Sequence, residues 1–429
     1  MSWRAAAIGL SLALAACAPT TLKERLEAKL DTRIAAVAMA NVSPDGTVAT
    51  YADGCAVFAV DGRTCNRAFT ADSPVRIASI SKLVVAIGAM RLVEQGQLDL
   101  DADISRYLGF RLRNPAFPDT PVTLRQLFAH VSSLRDGGNY VVPLGGNLRA
   151  ELAKPEHWDT AHTPGTFYTY ANLGLVIAGT AMEDATGERF DRLMARLVFQ
   201  PLGLEATYNW SGSSAGPASR AAVLYRSAGD DEVWHPGGPF LPQVDNRNGA
   251  LPDCVAPVLG DGVACDLDAF PPGTNAGPLS PQGGLRISLS ELVTIARVLA
   301  GGPLAGKPLV QPTTVAAFAK PVWTLDTAGA NGDSARGSEC AYGTGLHLLG
   351  ASPSPACRDD LFAGGRARFG HGAEAYGLLG GIWIDPQEHS ATVYFVTGTS
   401  TDPLITRGGR TGFTRLEEEL ARLSLTLHE

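Results

Sequence analysis

Apolar periodicity divides the chain into two similar ends and a different middle. Leu22 to Leu30 reads as a helix rich in Lys, Glu and Leu. Ile34 to Val42 and Thr47 to Val60 read as strands around a Ser43-Pro44-Asp45-Gly46 turn. Near the other end, Leu378 to Ile384 and Ala391 to Thr397 form a hairpin across Asp385 to His389, and a helical stretch runs from Phe413 to Leu427. Between them the spacing is mostly helical: Ser81 to Gln95, Leu124 to Ala129, Ala171 to Thr186, Phe190 to Val198 and Leu289 to Leu299. Gly- and Pro-rich loops join these segments, above all 205–285. The prediction is an α+β fold. An antiparallel sheet is assembled from both chain ends (about 31–75 and 340–429) with flanking helices, and a mostly helical region (about 76–339) is inserted. Residues 31–429 form one interleaved unit, because no linker divides them into independent domains.

At 429 residues and 45% hydrophobic content, the chain can bury a real core, which excludes a disordered protein. The net charge is −8 with no Lys/Arg run, so nucleic acid is not expected as a partner. The first residues add a location. Arg4 precedes Ala5 to Ala16, a short apolar run holding only Gly9 and Ser11 as exceptions, as in a secretory signal over residues 1–16. That run is too short for an ordinary membrane-spanning helix. Leu14-Ala15-Ala16-Cys17 resembles the lipobox of bacterial lipoproteins. The resemblance implies cleavage before Cys17, acylation of that residue, a lipidated N-terminus over 17–30 and a membrane anchor without a spanning helix. It implies a periplasm-facing envelope protein, with Ala18 pointing to the outer rather than the inner membrane. The alternative is a plain signal peptide that happens to contain a cysteine.

Of seven cysteines, six remain after Cys17, and six allow fifteen pairings. Proximity suggests Cys55 with Cys65, Cys254 with Cys265 and Cys340 with Cys357, each worth roughly 2–3 kcal/mol in an oxidising compartment. Neither a C-x-x-C nor an H-E-x-x-H spacing occurs, so a metal site has no support. No cofactor is expected.

The candidate chemistry begins at Ser79-Ile80-Ser81-Lys82, at the start of an apolar helix. Positions three apart share a helix face, so Ser79 and Lys82 project together. A serine hydroxyl becomes nucleophilic when a base takes its proton, and a lysine of lowered pKa is such a base. The chain has only six lysines, and this is its only S-x-x-K. The structural alternative makes Ser79 a helix cap and Lys82 a solvated residue. Tyr170-Ala171-Asn172 follows a turn and an aromatic run at the start of another apolar helix. Tyr168 competes for that register but lacks an Asn two residues on. With these two motifs the chain resembles the serine β-lactamase and penicillin-recognising hydrolase superfamily, nearest to class C β-lactamases and related esterases and peptidases, whose second motif is Y-x-N. Phe369-Gly370-His371-Gly372-Ala373 resembles an H-x-G version of that family's K-T-G strand edge, with Ala373 in place of the last Gly. Thr123 to Leu134 and Gly283 to Leu292 resemble two further segments of the family, so the likeness spans roughly 25–400.

The resemblance implies Ser79 as nucleophile, Lys82 and Tyr170 as the groups that remove and relay its proton, and Asn172 as a residue that holds the substrate's amide and orients Lys82. It implies His371, as cation or hydrogen-bond donor, with Gly372 and Ala373 in substrate binding. His130 and Ser132 are read as supporting residues. The expected substrate is a small-molecule or peptide acyl compound: an ester, amide or lactam hydrolysed through an acyl-enzyme, by an esterase or D-amino-acid peptidase-like enzyme. A β-lactamase or DD-peptidase is the first alternative, and a catalytically idle envelope-anchored binding lipoprotein the second. Gly212-Ser213-Ser214-Ala215-Gly216 also fits G-x-S-x-G, but a nucleophile elbow needs a strand before it and a helix after it. Here it sits in a Ser/Gly/Ala stretch running into Pro217, and Ser214 is read as a loop residue.

Overall fold

The computed structural model describes residues 21–137, 140–210, 215–229, 233–244, 266–301, 308–405 and 409–427. The signal segment, Cys17, the Cys254/Cys265 pair and Ser214 lie outside the described residues. The described residues begin with α1 (Leu22–Leu30), then β1 (Ala36–Val42), β2 (Val48–Phe58), β3 (Cys65–Ala68) and β4 (Val75–Arg76). Helices α2 (Ile80–Glu94), α3 (Leu124–Phe128), α4 (Leu148–Leu152), α5 (Asn172–Thr186), α6 (Phe190–Met194) and α7 (Ala215–Arg220) follow. Next come β5 (Leu224–Arg226), β6 (Leu241–Val244), β7 (Arg286–Ile287), α8 (Leu289–Ala300) and α9 (Pro312–Phe318). The last part holds β8 (Trp323–Thr324), β9 (Ala341–Tyr342), β10 (His347–Leu349), β11 (Arg368–Ala375), β12 (Leu378–Asp385), β13 (Ser390–Val396), β14 (Gly398–Thr399) and α10 (Arg415–Leu425).

The main sheet has the order β3-β2-β1-β13-β12-β11-β10-β9-β8, so the two chain ends meet where β1 pairs antiparallel with β13, Val37 opposite Val396. Both faces of its centre are covered, which explains why β1 and β12 read as almost unbroken apolar runs. Alternation still sorts the residues. Ala38, Ala40, Ile382, Val393 and Phe395 join the large core under the helical region, while Val37, Met39, Trp383, Tyr394 and Val396 pack with Leu26 of α1 and with Leu416 and Leu420 of α10.

The structure departs from the sequence expectations at short elements. The sheet already begins at β8, inside the stretch expected to be helical, because a two-residue strand leaves no alternation to read. Strand β4 pairs with β7, away from the main sheet. The helix at Phe190 passes into a π turn over Ala195–Phe199. The segment after Ser214, expected to be loop, is helix α7. Disulfides join Cys55 to Cys65 and Cys340 to Cys357, with Cα–Cα distances of 5.6 and 5.8 Å.

Candidate active site

Helix α2 is apolar on every side and buried from Ile80 to Met90, so its first turn is fixed deep in the molecule. Ala78, just before it, is held at φ 46°, a left-handed conformation costly for a residue with a Cβ, and this turn delivers Ser79 to the helix start. The Ser79 hydroxyl does not cap the helix. Lys82 Nζ lies 3.0 Å from Ser79 Oγ, 2.8 Å from Asn172 Oδ1 and 2.8 Å from the Gln282 carbonyl oxygen. Tyr170 donates its phenol proton to Ser79 Oγ at 2.9 Å. The two motifs, ninety residues apart in sequence, therefore meet on one hydroxyl.

Lys82 is 1% exposed, which rules out the solvated lysine of the structural alternative. Burial brings its pKa down to about 7, although the nearby carboxyl groups of Asp136 and Glu339 pull it upward. As a neutral amine, Lys82 donates to Asn172 and to the Gln282 carbonyl and turns its lone pair to Ser79. Burial moves the Tyr170 phenol the other way, well above its ordinary value, so it stays protonated and donates. The His130 ring stacks on Tyr170 at 4.4 Å between centroids, and His130 Nδ1 accepts from the Ala171 amide.

Asn172 is held on both sides of its amide group. Its Oδ1 accepts from Lys82, and its Nδ2 donates to Asp136 Oδ2 at 2.8 Å. Asp136 also accepts the Leu173 amide, so a loop carboxylate caps α5 from a distance. Asn172 thus orients Lys82.

Strand β11 forms the wall beside the nucleophile. Among the described residues, only Arg368–Gly370 of β11 pair with β10, which leaves the strand from His371 to Ala375 open on that side. A cavity of about 310 Å³ is lined there by Ser79, Tyr170, Glu339, His371, Gly372 and Ala373. Of the two roles expected for His371, cation or hydrogen-bond donor, a neutral donor fits its surroundings. It is buried, and burial with Lys82 nearby holds its pKa well below the ordinary histidine value. Its Nδ1 donates to the Gly372 carbonyl, so Nε2 accepts from the Tyr342 hydroxyl at 2.7 Å.

Asp136, Glu339, Tyr342 and the Gln282 carbonyl were not found by sequence reasoning. Asp136 carries a weak signal, lying in the Ser133-Leu134-Arg135-Asp136 turn just after the His130 segment.

Residues 22–410 match the family described as Beta-lactamase. The chain is 30% identical over 145 residues to the D-alanyl-D-alanine-carboxypeptidase/endopeptidase AmpH of Escherichia coli K12, covering 32% of this chain and 37% of that protein. It is 29% identical over 208 residues to the esterase EstB of Burkholderia gladioli, covering 44% of this chain and 51% of that one. The chain therefore matches about two-fifths to one half of the length of these curated relatives. In fold it is similar to a β-lactamase/D-alanine carboxypeptidase from Pseudomonas syringae, with a TM-score of 0.62 at 17% identity, covering 95% of this chain and 98% of that one. Matched by its sequence from the first helix to the last loop and by its architecture across nearly its whole length, the chain belongs to the Beta-lactamase family.

Proposed function

We propose that this protein is a serine hydrolase that cleaves ester or amide bonds through an acyl-enzyme on Ser79. The observation that carries the reading is the contact of Ser79 Oγ with both a buried lysine of lowered pKa and a protonated tyrosine. Neutral Lys82 takes the hydroxyl proton as Oγ bonds to the carbonyl carbon, and Tyr170 supports the charge growing on Oγ. The carbonyl oxygen becomes an anion held by the Ser79 amide and by a backbone N–H on the open edge of β11 between Ala373 and Tyr376. Collapse breaks the bond to the leaving group, which takes its proton from the Lys82 ammonium by way of Tyr170. Water then attacks the acyl carbon, gives its proton to Lys82, and Ser79 leaves reprotonated.

Gly372 and Ala373 line the acyl pocket in this reading, and neutral His371 stiffens the strand. The intact Ser79, Lys82, Tyr170 and Asn172 arrangement argues against an idle binding protein. A neutral histidine in place of the K-T-G lysine favours an esterase or D-amino-acid peptidase-like enzyme over a β-lactamase. The test is intact-protein mass after mixing with a penicillin and, separately, with an activated ester, beside a Ser79→Ala control. An ester-derived adduct or turnover that needs Ser79 supports the reading, and equal activity in folded Ser79→Ala sinks it. Consumption of penicillin would move the assignment to the β-lactamase branch.

A lipid anchor on Cys17 and a periplasm-facing location belong to the same proposal. They are supported by the first residues of the sequence and by two disulfides of the kind oxidising compartments favour. Incorporation of labelled fatty acid in the wild type, absent from Cys17→Ala, is the expected result. Labelling that persists in the variant would refute the anchor.

A further inference from the structure

One carboxylate in the cavity has no part in the proton path. Glu339 precedes Cys340, whose disulfide to Cys357 fixes the chain at the entry to β9. Its Oε2 accepts from the Tyr168 hydroxyl at 2.8 Å. Tyr168 is fully buried and stacked on Trp323 at 4.3 Å between centroids, so the carboxyl group is held through one oxygen by a rigid partner. Its other oxygen has no hydrogen-bond partner among the described residues, and the group lines the same cavity as Ser79 and Tyr170. The described residues lining that cavity also include Glu374 and Glu417, and none is a lysine or an arginine.

A preorganised carboxylate with one open oxygen, a cavity's width from the nucleophile, attracts a cation and repels an anion. We infer that Glu339 selects substrates that carry a positive charge close to the scissile carbonyl, an ammonium on either the acyl group or the leaving group. The inference rests on the serine-hydrolase reading above and narrows it. Penicillins and peptide C-termini bring a carboxylate to the same region and are disfavoured by it.

The experiment compares kcat/KM within isosteric pairs at pH 8, above the value of about 7 to which burial raises the Glu339 carboxyl. D-alanine p-nitroanilide, whose α-amino group is about half protonated at this pH, against isobutyric p-nitroanilide reads the acyl side, and acetylcholine against 3,3-dimethylbutyl acetate reads the leaving-group side with a permanent charge. In the wild type, at least one cationic member is expected to be favoured by about tenfold or more, and Glu339→Gln to bring that ratio to within about threefold of unity. Glu339→Asp, which keeps the charge, is expected to keep the direction of the preference. No preference in either pair, or a preference that survives in Glu339→Gln, overturns the inference.

Failure of the hydrolase reading looks different: none of the four compounds is turned over. Binding of D-alaninamide against isobutyramide, and of choline against 3,3-dimethylbutanol, to the Ser79→Ala protein by calorimetry then decides the point. A cation preference that vanishes in the Ser79→Ala/Glu339→Gln double variant upholds the inference, and equal binding within both pairs refutes it.

Discussion

Helices α8 and α10 begin as the physics of an isolated helix prescribes. Ser288 and Thr414 each accept the amide three residues on, and Glu291 and Glu417 reach back to the cap amide. Helices α1 and α3 start with the same reciprocal box. Helices α2 and α5, which carry Ser79, Lys82 and Asn172, do not. Ser79 occupies the cap position of α2 with a residue well suited to capping, yet its hydroxyl is turned to Lys82 and Tyr170. Helix α5 has Ala171 at its cap position, with no capping side chain of its own, and borrows Asp136. The same corner holds the left-handed residues Ala78, His130 and Ser133 and the buried amine of Lys82. Helices α6 and α9 also start without a capping side chain, so what sets the site apart is a residue suited to capping whose hydroxyl stays free to react.

This division is broken most directly by removing the reacting groups. Lys82→Ala is expected to lower kcat/KM by about 10³-fold or more, because no other base touches Ser79 Oγ among the described residues. The protein should stay folded by circular dichroism. A folded variant of near wild-type rate would show that Lys82 is a structural amine. Tyr170→Phe should cost about 10²–10⁴ in kcat with a smaller effect on KM, since its phenol donates to the oxygen on which charge grows. A tenfold loss confined to KM would make Tyr170 part of the pocket wall instead.

The pH profile sharpens the same contrast. Burial brings Lys82 from the ordinary lysine range to about 7, and the base form exists above that value. The expected log kcat/KM rises by about one for each pH unit below 7 and levels off above it. Asp136 pulls the Lys82 pKa upward, so Asp136→Asn should move this limb to lower pH. A limb that stays in place, or moves up, would mean that Asp136 acts on the rate only by capping α5.

Much of the site was legible because it is local. Lys82 lies three positions after Ser79 and Asn172 two positions after Tyr170, and an apolar run after each pair announces the helix that aligns them. The sheet from both chain ends was legible for the same reason, through long alternating segments. Residues that act across the fold left no such trace. Asp136 reaches Asn172 and Leu173 from a turn, the Gln282 carbonyl is a backbone atom, and Glu339 is defined by burial and by Tyr168. Residue type alone left His371 open between cation and hydrogen-bond donor, because its neutral state comes from burial beside Lys82, which exists only once β11 is packed. Strands β8 and β9 are two residues each, a single period in which no alternation can repeat.

The smallest effect belongs to the scaffold side. Ser288 lies outside the cavity, accepts the Glu291 amide at 3.3 Å, and has its own amide held by Glu291 Oε2 at 2.9 Å. Ser288→Ala removes the first bond and leaves an amide of the first turn of α8 without its acceptor, at a cost of about 1 kcal/mol. Over a chain of this size that lowers the thermal midpoint by about 1–2 °C, because the unfolding entropy grows with length. Activity should be unaffected within about twofold, since α8 packs on β1, β12 and β13 and sends no side chain to Ser79. Equilibrium denaturation beside ester turnover reads both quantities on one preparation. If Ser288→Ala left stability unchanged and cut turnover tenfold, capping and chemistry would not be divided between different helices, and the free hydroxyl of Ser79 would need another explanation.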